Sequence, residues 1–379
     1  DGPVTAGGIH PWSTPEVTGR GRLPMRPPLD PYDDPAAARA GDASPFVRSL
    51  DGTWDFRLVD SPEWADAAVR SLTGDDVVGE ATGRWDEIEV PGTWVLQGGP
   101  EHRFGTAAYT NVVMPFDHDP PAVPAHNPTG IYRRTFRVPR DWRGRRVLLE
   151  VGSADSFLAA WVNGWPVGMG TDSRLASTFD VTERLVPGAN EVVLVVNQWS
   201  ASTWLEDQDQ WWMPGLHRSV RLVSVAPISL GDVALVPGLA TDGTTGTLDV
   251  RVQVDFVSAG NYTVQAFIRT DAGTELSTST KAVKRGWAAV EVEWAKSTAV
   301  GANNGKLNLW VNGSAATTQV TGVDNDTAAI NYVRWGALPK AAAATLPATL
   351  SGVFKLDDFV SQRENYIGPA QPFSDNTNT

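Results

Sequence analysis

Apolar and polar residues alternate in short runs as far as residue 225, and the runs are separated by turn residues. Alternation with a period of two is typical of strands that bury one face, and Asn163-Gly164 is a strong signal for a tight hairpin turn. The pattern predicts an all-β jelly-roll sandwich over residues 46–225. The clearest runs are LDGTWDFRLV at 50–59, RRVLLEVG at 145–152, FLAAWVNGWPVG at 157–168, NEVVLVVNQW at 190–199 and RSVRLVSV at 218–225.

The flanking segments have different patterns. Residues 1–45 are rich in Pro, Gly and Arg, which predicts an extended amino-terminal arm with turns. The only helical candidate is PEWADAAVRSL at 62–72. A second group of strands is predicted at 247–256, 262–269, 287–294, 306–312, 329–336 and 352–360. We therefore expect a second β-sandwich at 257–368, after a connecting segment at 226–256 and before a tail at 369–379.

Composition narrows the range of functions. The 379 residues have a formal net charge of -13 and contain no cysteine, so disulfides and thiolate metal sites are excluded. This charge balance disfavours nucleic acid and anionic membranes as partners, because both need clustered Lys and Arg. No apolar run approaches the roughly 18 to 20 residues that span a bilayer. The chain begins at Asp1 without an apolar leader, so we expect any signal peptide to have been removed or never to have existed.

The type of basic residue changes along the chain. Residues 1–280 contain 22 Arg and no Lys, whereas residues 281–379 contain six Lys and three Arg. Protein physics does not require this division, and two coding histories joined near 245–285 are the simplest account. The join can be natural, engineered or an assembly error. Ordinary drift in residue usage between domains is the alternative.

The stretch WSASTWLEDQDQWWMPGLHRSVRL at 199–222 combines aromatic and acidic residues. Flat apolar faces beside fixed acceptors suit a sugar, whose C–H faces stack and whose hydroxyls need hydrogen-bond partners. A rim hairpin in which the indoles belong to the core is the other interpretation. The residues concerned are Trp199, Trp204, Glu206, Asp207, Asp209, Trp211 and Trp212.

Known catalytic and metal-binding patterns are missing from the sequence. The five His residues show no metal-ligand spacing, and no nucleophile elbow of the G-x-S-x-G type occurs. Retaining glycoside hydrolysis needs two carboxylates about 5–5.5 Å apart. The Asn190-Glu191 pair is better explained as a turn that enters a strand. We assign no catalytic residue.

The order of motifs resembles the amino-terminal part of β-galactosidases of glycoside hydrolase family 2. Residues 199–209 are similar to the W-S-D-G-S-Y-L-E-D-Q-D signature of the sugar-binding domain in that family, with Ala201-Ser202 in place of the usual Asp-Gly. The other matching motifs follow in the order of the family. They are PWSTPEVTGRGRLPMRPP at 11–28, SLDGTWDF at 49–56, VPGTW at 90–94, YTNVVMPF at 109–116, NPTGIYRRTF at 127–136, WVNGWPVG at 161–168 and DSRLASTFDVT at 172–182.

The resemblance implies two substrate-binding residues. Asn111 matches the Asn of Y-T-N-V, and Asp172 matches the Asp of the D-S-R motif. In the family both side chains reach the pocket of a neighbouring barrel, and Asp172 is also expected to help hold a monovalent cation. Trp204, Glu206, Asp209 and Trp211 are candidates for sugar stacking or for the rim. The structural alternatives are a turn-stabilising Asn111 and an Asp172 that pairs with Arg174.

The resemblance also sets expectations for the arm and for catalysis. In the family the arm contributes to subunit assembly, so we expect residues 11–30 to be disordered or sticky, and an oligomer formed through them is an option. Catalytic carboxylates of the family lie on a barrel that takes about 250 residues. The residues after Val225 are fewer and resemble strands, so we expect no barrel in this chain and no activity from it alone.

The later residues resemble two other domains. Residues 227–256 are similar to the start of the immunoglobulin-like domain that follows the jelly roll in this family. From about Val257, motifs such as GNYTVQAFIRT, GKLNLWVNG and SGVFKLDDF resemble part of a laminin-G-like, concanavalin-type sandwich. Such domains commonly bind glycans or proteins, some through calcium, and Asp357 and Asp358 are the candidate calcium ligands.

Three functional hypotheses follow. The first is a non-catalytic carbohydrate-recognition portion of a β-galactosidase-like hydrolase that binds β-galactosides or other glycans and is joined to a laminin-G-like segment. The second is a fragment of an active β-galactosidase that needs a separate catalytic-domain partner. The third is an adhesion or protein-interaction module. None of the three hypotheses requires a cofactor, and a bound Na+ or Ca2+ ion is compatible with each. The first half is typical of cytoplasmic proteins and the second half of extracellular ones, which leaves the compartment open.

Overall fold

The computed structural model describes residues 10–65, 69, 85–111 and 113–239, then residue 302 and the segments 246–256, 262–269, 275–283, 290–295, 305–311, 314–315, 320–323 and 333–337. It contains two compact units. The first comprises the described residues up to 27 together with 45–225, and the second comprises 28–44 with the described residues from 226 onward.

The first unit is a sandwich of two antiparallel sheets. The larger sheet has the order β1-β10-β9-β12-β7-β3-β4, the smaller has the order β11-β8-β15-β2, and β13-β6 and β14-β5 form two short ribbons. Its strands are β1 Gly19–Arg20, β2 Val47–Ser49, β3 Gly52–Val59, β4 Asp86–Val90, β5 Gly92–Thr93, β6 Ala108–Thr110, β7 Thr129–Arg137, β8 Arg146–Val151, β9 Phe157–Val162, β10 Trp165–Thr171, β11 Ser177–Asp180, β12 Ala189–Asn197, β13 Gln210–Trp212, β14 Gly215–Leu216 and β15 Val220–Val225.

The large sheet is buried on both faces. Strand β12 lies in its middle, where Leu194 pairs with Tyr132 of β7 and with Ala160 of β9. Leu194 belongs to the core between the two sheets, whereas its neighbours Val193 and Val195 belong to a second apolar cluster. A strand that is covered on both sides has no polar face, which explains the apolar run in NEVVLVVN.

The arm helps to cover the outer face of the large sheet. Trp12 is buried and its ring meets that of Phe157 edge-on at 6.2 Å between centroids. The Trp12 carbonyl accepts a hydrogen bond from the Ala201 amide at 2.6 Å. Strand β1 then pairs with β10, Gly19 with Gly170 and Arg20 with Met169. The expectation of disorder is therefore wrong for Trp12, Gly19 and Arg20, which have partners within the sandwich, whereas the expectation of a sticky arm that joins subunits stays a prediction.

Replacing Trp12 with alanine is expected to lower the free energy of unfolding by about 3 kcal/mol, because it removes a large buried side chain. The arm should also become accessible to protease near residues 19–23 before the sandwich unfolds. Denaturant unfolding and limited proteolysis measure the two effects. An unchanged midpoint together with unchanged cleavage would contradict the assignment of the arm to this fold.

Outside the strands, the first unit has short helical segments. Residues 62–65 and Val69 are helical, which agrees with the helical candidate at 62–72. Helix α2, Thr203–Glu206, follows β12, and helix α1, Pro35–Ala40, belongs to the second unit. The described part of the chain contains no helix long and apolar enough to cross a membrane. Single 3-10 turns cover Pro11–Ser13, Trp94–Leu96, Arg140–Trp142 and Thr182–Arg184.

The described backbone of the second unit is also mainly strand. Strand β16 pairs with β17, β18 lies between β19 and β24, and β21 pairs with β20, β22 and β23. The predicted strands at 247–256, 262–269 and 306–312 are present, whereas β19 was not predicted. The predicted strand at 352–360 lies outside the described residues. The strands are β16 Ile228–Leu239, β17 Gly246–Phe256, β18 Tyr262–Arg269, β19 Glu275–Val283, β20 Val290–Ala295, β21 Gly305–Val311, β22 Ser314–Ala315, β23 Val320–Val323 and β24 Val333–Ala337. The all-β fold class is confirmed.

Candidate functional site

The four tryptophans of the stretch at 199–222 divide between core and surface. Trp199 and Trp212 are buried, and their rings stack with centroids 5.5 Å apart. The indole N–H of Trp212 donates to the carbonyl of Gln198 at 2.8 Å. Trp211 precedes Trp212 on strand β13 and points to the opposite face, with 58 % of its surface exposed. The core interpretation is thus correct for Trp199 and Trp212, whereas the sugar-binding interpretation stays a prediction for the exposed Trp211.

The ribbon of β6 and β13 brings a polar and aromatic group together at the surface. Trp211 pairs with Tyr109 across the ribbon, and their ring centroids are 5.3 Å apart. The Tyr109 hydroxyl donates to Oδ1 of Asp209 and accepts from Nδ2 of Asn111 at 3.4 Å. The bond to Asp209 raises the pKa of Tyr109. This group, which we call the ribbon cluster, consists of Tyr109, Asn111, Asp209 and Trp211.

Trp204 and Glu206 of helix α2 have partners inside the protein. The indole N–H of Trp204 donates to the Ala122 carbonyl at 3.0 Å, and the edge of the Phe116 ring meets its face at 5.5 Å between centroids. Both carboxylate oxygens of Glu206 accept from the Ser173 amide at 3.2 Å. Burial raises the pKa of Glu206, against the effect of its bonds to Ser173. Trp204 and Glu206 therefore support residues near the ribbon cluster and contribute less to the exposed surface.

Asp172 lies in a tight turn at the end of β10. Its φ angle is 87°, in the left-handed region that is uncommon for any residue other than glycine. Oδ1 of Asp172 accepts hydrogen bonds from the amides of Arg174 and Leu175, each at 3.2 Å. An Asp that bonds to its own backbone in this way stabilises the turn. Among the described residues, Oδ2 of Asp172 has no hydrogen-bond partner, and the charge of Asp172 acts on the nearby Arg22 guanidinium.

Arg174 pairs with Asp155 and not with Asp172. One guanidinium nitrogen of Arg174 donates to Oδ2 of Asp155 at 3.1 Å. Asp155 is only 2 % exposed, and this burial raises its pKa to about 6 although Arg174 opposes the shift. The structural alternative of an Asp172–Arg174 ion pair is therefore wrong, because Asp155 takes the guanidinium.

His217 lies beside the same positive charges. Burial, together with the nearby guanidinium groups of Arg174 and Arg218, lowers the pKa of His217 to about 4. The Arg218 guanidinium donates to the Arg174 carbonyl. At neutral pH His217 is consequently uncharged, and the arginines are the positive groups of this end of the sandwich.

The predicted site residues form two neighbouring groups. Asn111, Asp209 and Trp211 are together in the ribbon cluster, whereas Asp172 and Glu206 both hold the turn at 172–175. The segment 206–210 connects the two groups, and no described hydrogen bond joins Asn111 to Asp172. Sequence reasoning missed Tyr109 and Asp155. Tyr109 could have been found from its place in the Y-T-N-V motif, but nothing local marks Asp155, whose burial depends on residues far along the chain.

The cation predictions have less support in the geometry. No group of three or more His, Asp or Glu side chains able to hold a metal ion occurs among the described residues. One carboxylate oxygen of Asp172 is already used in the turn. Asp357 and Asp358 lie outside the described residues.

The first unit is thus a β-sandwich that carries an exposed cluster of aromatic and polar side chains. Residues 47–226 match the family model described as the sugar binding domain of glycosyl hydrolases family 2. This part of the chain is therefore similar to a family 2 sugar-binding domain.

The relatives that this chain matches are longer proteins. A β-galactosidase from Pectobacterium atrosepticum is 38 % identical over 260 residues, which are 67 % of this chain and 24 % of the relative. One from an Arthrobacter species is 43 % identical over 205 residues, covering 52 % of this chain and 20 % of the relative. The chain thus spans about a quarter of the length of the curated relatives it matches.

Solved structures support the fold. The crystal structure of a β-glucuronidase from Bacteroides uniformis matches with a TM-score of 0.50 and 17 % identity, over 80 % of this chain and 31 % of that chain. At this identity the likeness concerns the fold alone.

Proposed function

We propose that residues 46–225 are the carbohydrate-recognition portion of a β-galactosidase-like family 2 hydrolase and bind β-galactosides weakly. The observation that carries this proposal is the ribbon cluster. The exposed ring of Trp211 offers a flat face to the C–H side of a sugar, and Asn111 and Asp209 offer a donor and acceptors to its hydroxyls. The curated relatives named above are β-galactosidases, which supports a galactoside as the ligand.

A titration with methyl β-galactoside, followed by NMR of the full chain, tests this proposal. We expect the indole signal of Trp211 to shift, and we expect the variants Trp211→Ala and Asn111→Ala to bind at least about fivefold more weakly, since each loses a stacking or hydrogen-bond contact. The matched control is Trp165→Ala, because Trp165 is 60 % exposed on another hairpin. Equal affinity in Trp211→Ala and the wild type would refute the assigned site.

A second candidate function is that of a fragment that takes part in hydrolysis with a separate catalytic domain. Leu205 and Val113 are strongly exposed and lie close in sequence to Glu206 and Asn111, and exposed apolar side chains can contribute to an interaction surface. The short share of the relatives that this chain spans is in keeping with this idea. A chromogenic β-galactoside separates the two functions, with turnover expected only after a barrel-containing fragment of a relative is added.

The laminin-G-like identity of residues 257–368 stays a prediction, and so does the adhesion function that depends on it. Capture of a purified protein partner that excess galactoside does not displace would favour adhesion. Sequencing the source DNA across codons 245–285 tests whether the change from Arg to Lys marks a join.

A further inference from the structure

The turn that carries Asp172 is held from several separate parts of the sandwich. The Thr171 carbonyl accepts a hydrogen bond from the Arg22 guanidinium at 2.6 Å. The Ser173 amide donates to Glu206 at 3.2 Å, and Arg174 is held through its side chain by Asp155. Thr171, Ser173 and Arg174 thus each have a partner outside the turn. Such restraint is expected where a backbone conformation is unfavourable by itself.

The conformation at Asp172 needs this restraint. A non-glycine residue with a φ angle of 87° is strained. In this geometry Oδ1 of Asp172 accepts from the amides of Arg174 and Leu175, whereas Oδ2 has no hydrogen-bond partner among the described residues. A relaxed turn would release Oδ1 and let the carboxylate rotate.

Asp155 is the least accessible of the groups that hold the turn. It is nearly fully buried, so it cannot contact a ligand in solvent, and Arg174 is its ion-pair partner. Burial of a carboxylate is unfavourable unless a positive charge and hydrogen bonds compensate for it. Hydrophobic residues of similar size often stabilise a fold as well as a buried ion pair does. Stability alone therefore gives a weak reason for a carboxylate at this position.

We propose that Asp155 is a positioning residue for Asp172. It fixes the side chain of Arg174, and Arg174 in turn fixes the 172–175 turn in the conformation that leaves Oδ2 of Asp172 open to a sugar hydroxyl. The part that concerns the sugar rests on the function proposed above, whereas the effect on the turn does not.

The test is the Asp155→Asn variant of the full chain, which keeps the shape of the side chain and removes its charge. Hydrogen exchange at the amides of Arg174 and Leu175 should become about tenfold faster, and the affinity for methyl β-galactoside should fall at least about fivefold, as expected for loss of a charged hydrogen bond. The matched control is Asp55→Asn, which removes another Asp–Arg pair, that of Asp55 and Arg133 at 2.9 Å, from the same sandwich. The control should leave both measurements unchanged.

The outcomes separate this inference from its alternatives. If Asp155→Asn lowers the unfolding midpoint but leaves both amide exchange and affinity as in the wild type, Asp155 is only structural and the proposal is overturned. If the wild type binds no galactoside, the proposed function fails, and the exchange rates alone decide whether Asp155 positions the turn. Should Asp155→Asn not fold, Arg174→Lys replaces it, and wild-type exchange in that variant overturns the proposal.

Discussion

Substitution of Trp212 by alanine is expected to lower the free energy of unfolding by about 3–5 kcal/mol, the usual loss for a fully buried tryptophan. Its indole is stacked on Trp199 at 5.5 Å, and its N–H donates to the Gln198 carbonyl at 2.8 Å. The substitution therefore removes packing on one side and the shorter of two hydrogen bonds to the Gln198 carbonyl, which also accepts from the Ser156 hydroxyl at 3.3 Å. Chemical denaturation followed by circular dichroism measures the change.

The neighbouring residue provides the control for this prediction. Trp211→Ala should change the free energy of unfolding by less than about 1 kcal/mol, because most of the side chain is in water in the folded state. It should, however, weaken galactoside binding. A similar loss of stability in both variants would mean that β13 does not separate an inner face from an outer face as described.

The second large effect is expected from Arg174→Leu, which leaves Asp155 buried without its ion-pair partner. Removing one member of such a pair usually lowers stability by about 3–5 kcal/mol, and we expect the lower end because Arg174 is partly exposed. The loss should be seen at pH 8. The double variant Asp155→Asn/Arg174→Leu should recover most of it, since no buried charge then remains.

This loss should depend on pH in a defined direction. Burial raises the folded-state pKa of Asp155 from 3.8 to about 6, so its contribution to stability is fully present below pH 3.8 and is lost as the pH rises through 6. Without Arg174 the folded-state pKa rises further, and the loss extends to higher pH. The stability difference between wild type and variant should thus open above about pH 6 and nearly vanish at pH 4. A difference that is constant from pH 4 to pH 8 would show that the charge of Asp155 is not its cause.

Sequence patterns predicted the strands better than they predicted which faces are buried. The run at 190–199 was identified as a strand, but its cover on two sides depends on Trp12, which lies far away in the sequence. The same limit applies to Trp211 and Trp212. A tryptophan is compatible with the core and with a sugar-binding surface, so the residue type alone does not separate Trp211 from Trp212. Only the pairing of β13 with β6 decides which of them is exposed.

Candidate site residues that belong to a local sequence motif could be predicted. Residues whose role depends on burial by distant parts of the chain could not. Asn111, Asp172 and Asp209 could be selected from local motifs. The role of Arg174 could not, because its nearest acidic residue in the sequence is Asp172, while the carboxylate it binds is 19 positions away at Asp155. Two acidic residues compete for one guanidinium, and burial of Asp155 decides between them.

The arm has a consequence for where this domain can be cut. The family match begins at residue 47, but Trp12 covers part of the outer face of the seven-stranded sheet and strand β1 forms one of its edges. A recombinant protein trimmed to the matched range would present the apolar side chains of Phe157, Trp161 and Val193 to water. We therefore expect the segment that folds to be longer than the segment that matches the family model, and to include residues before residue 28.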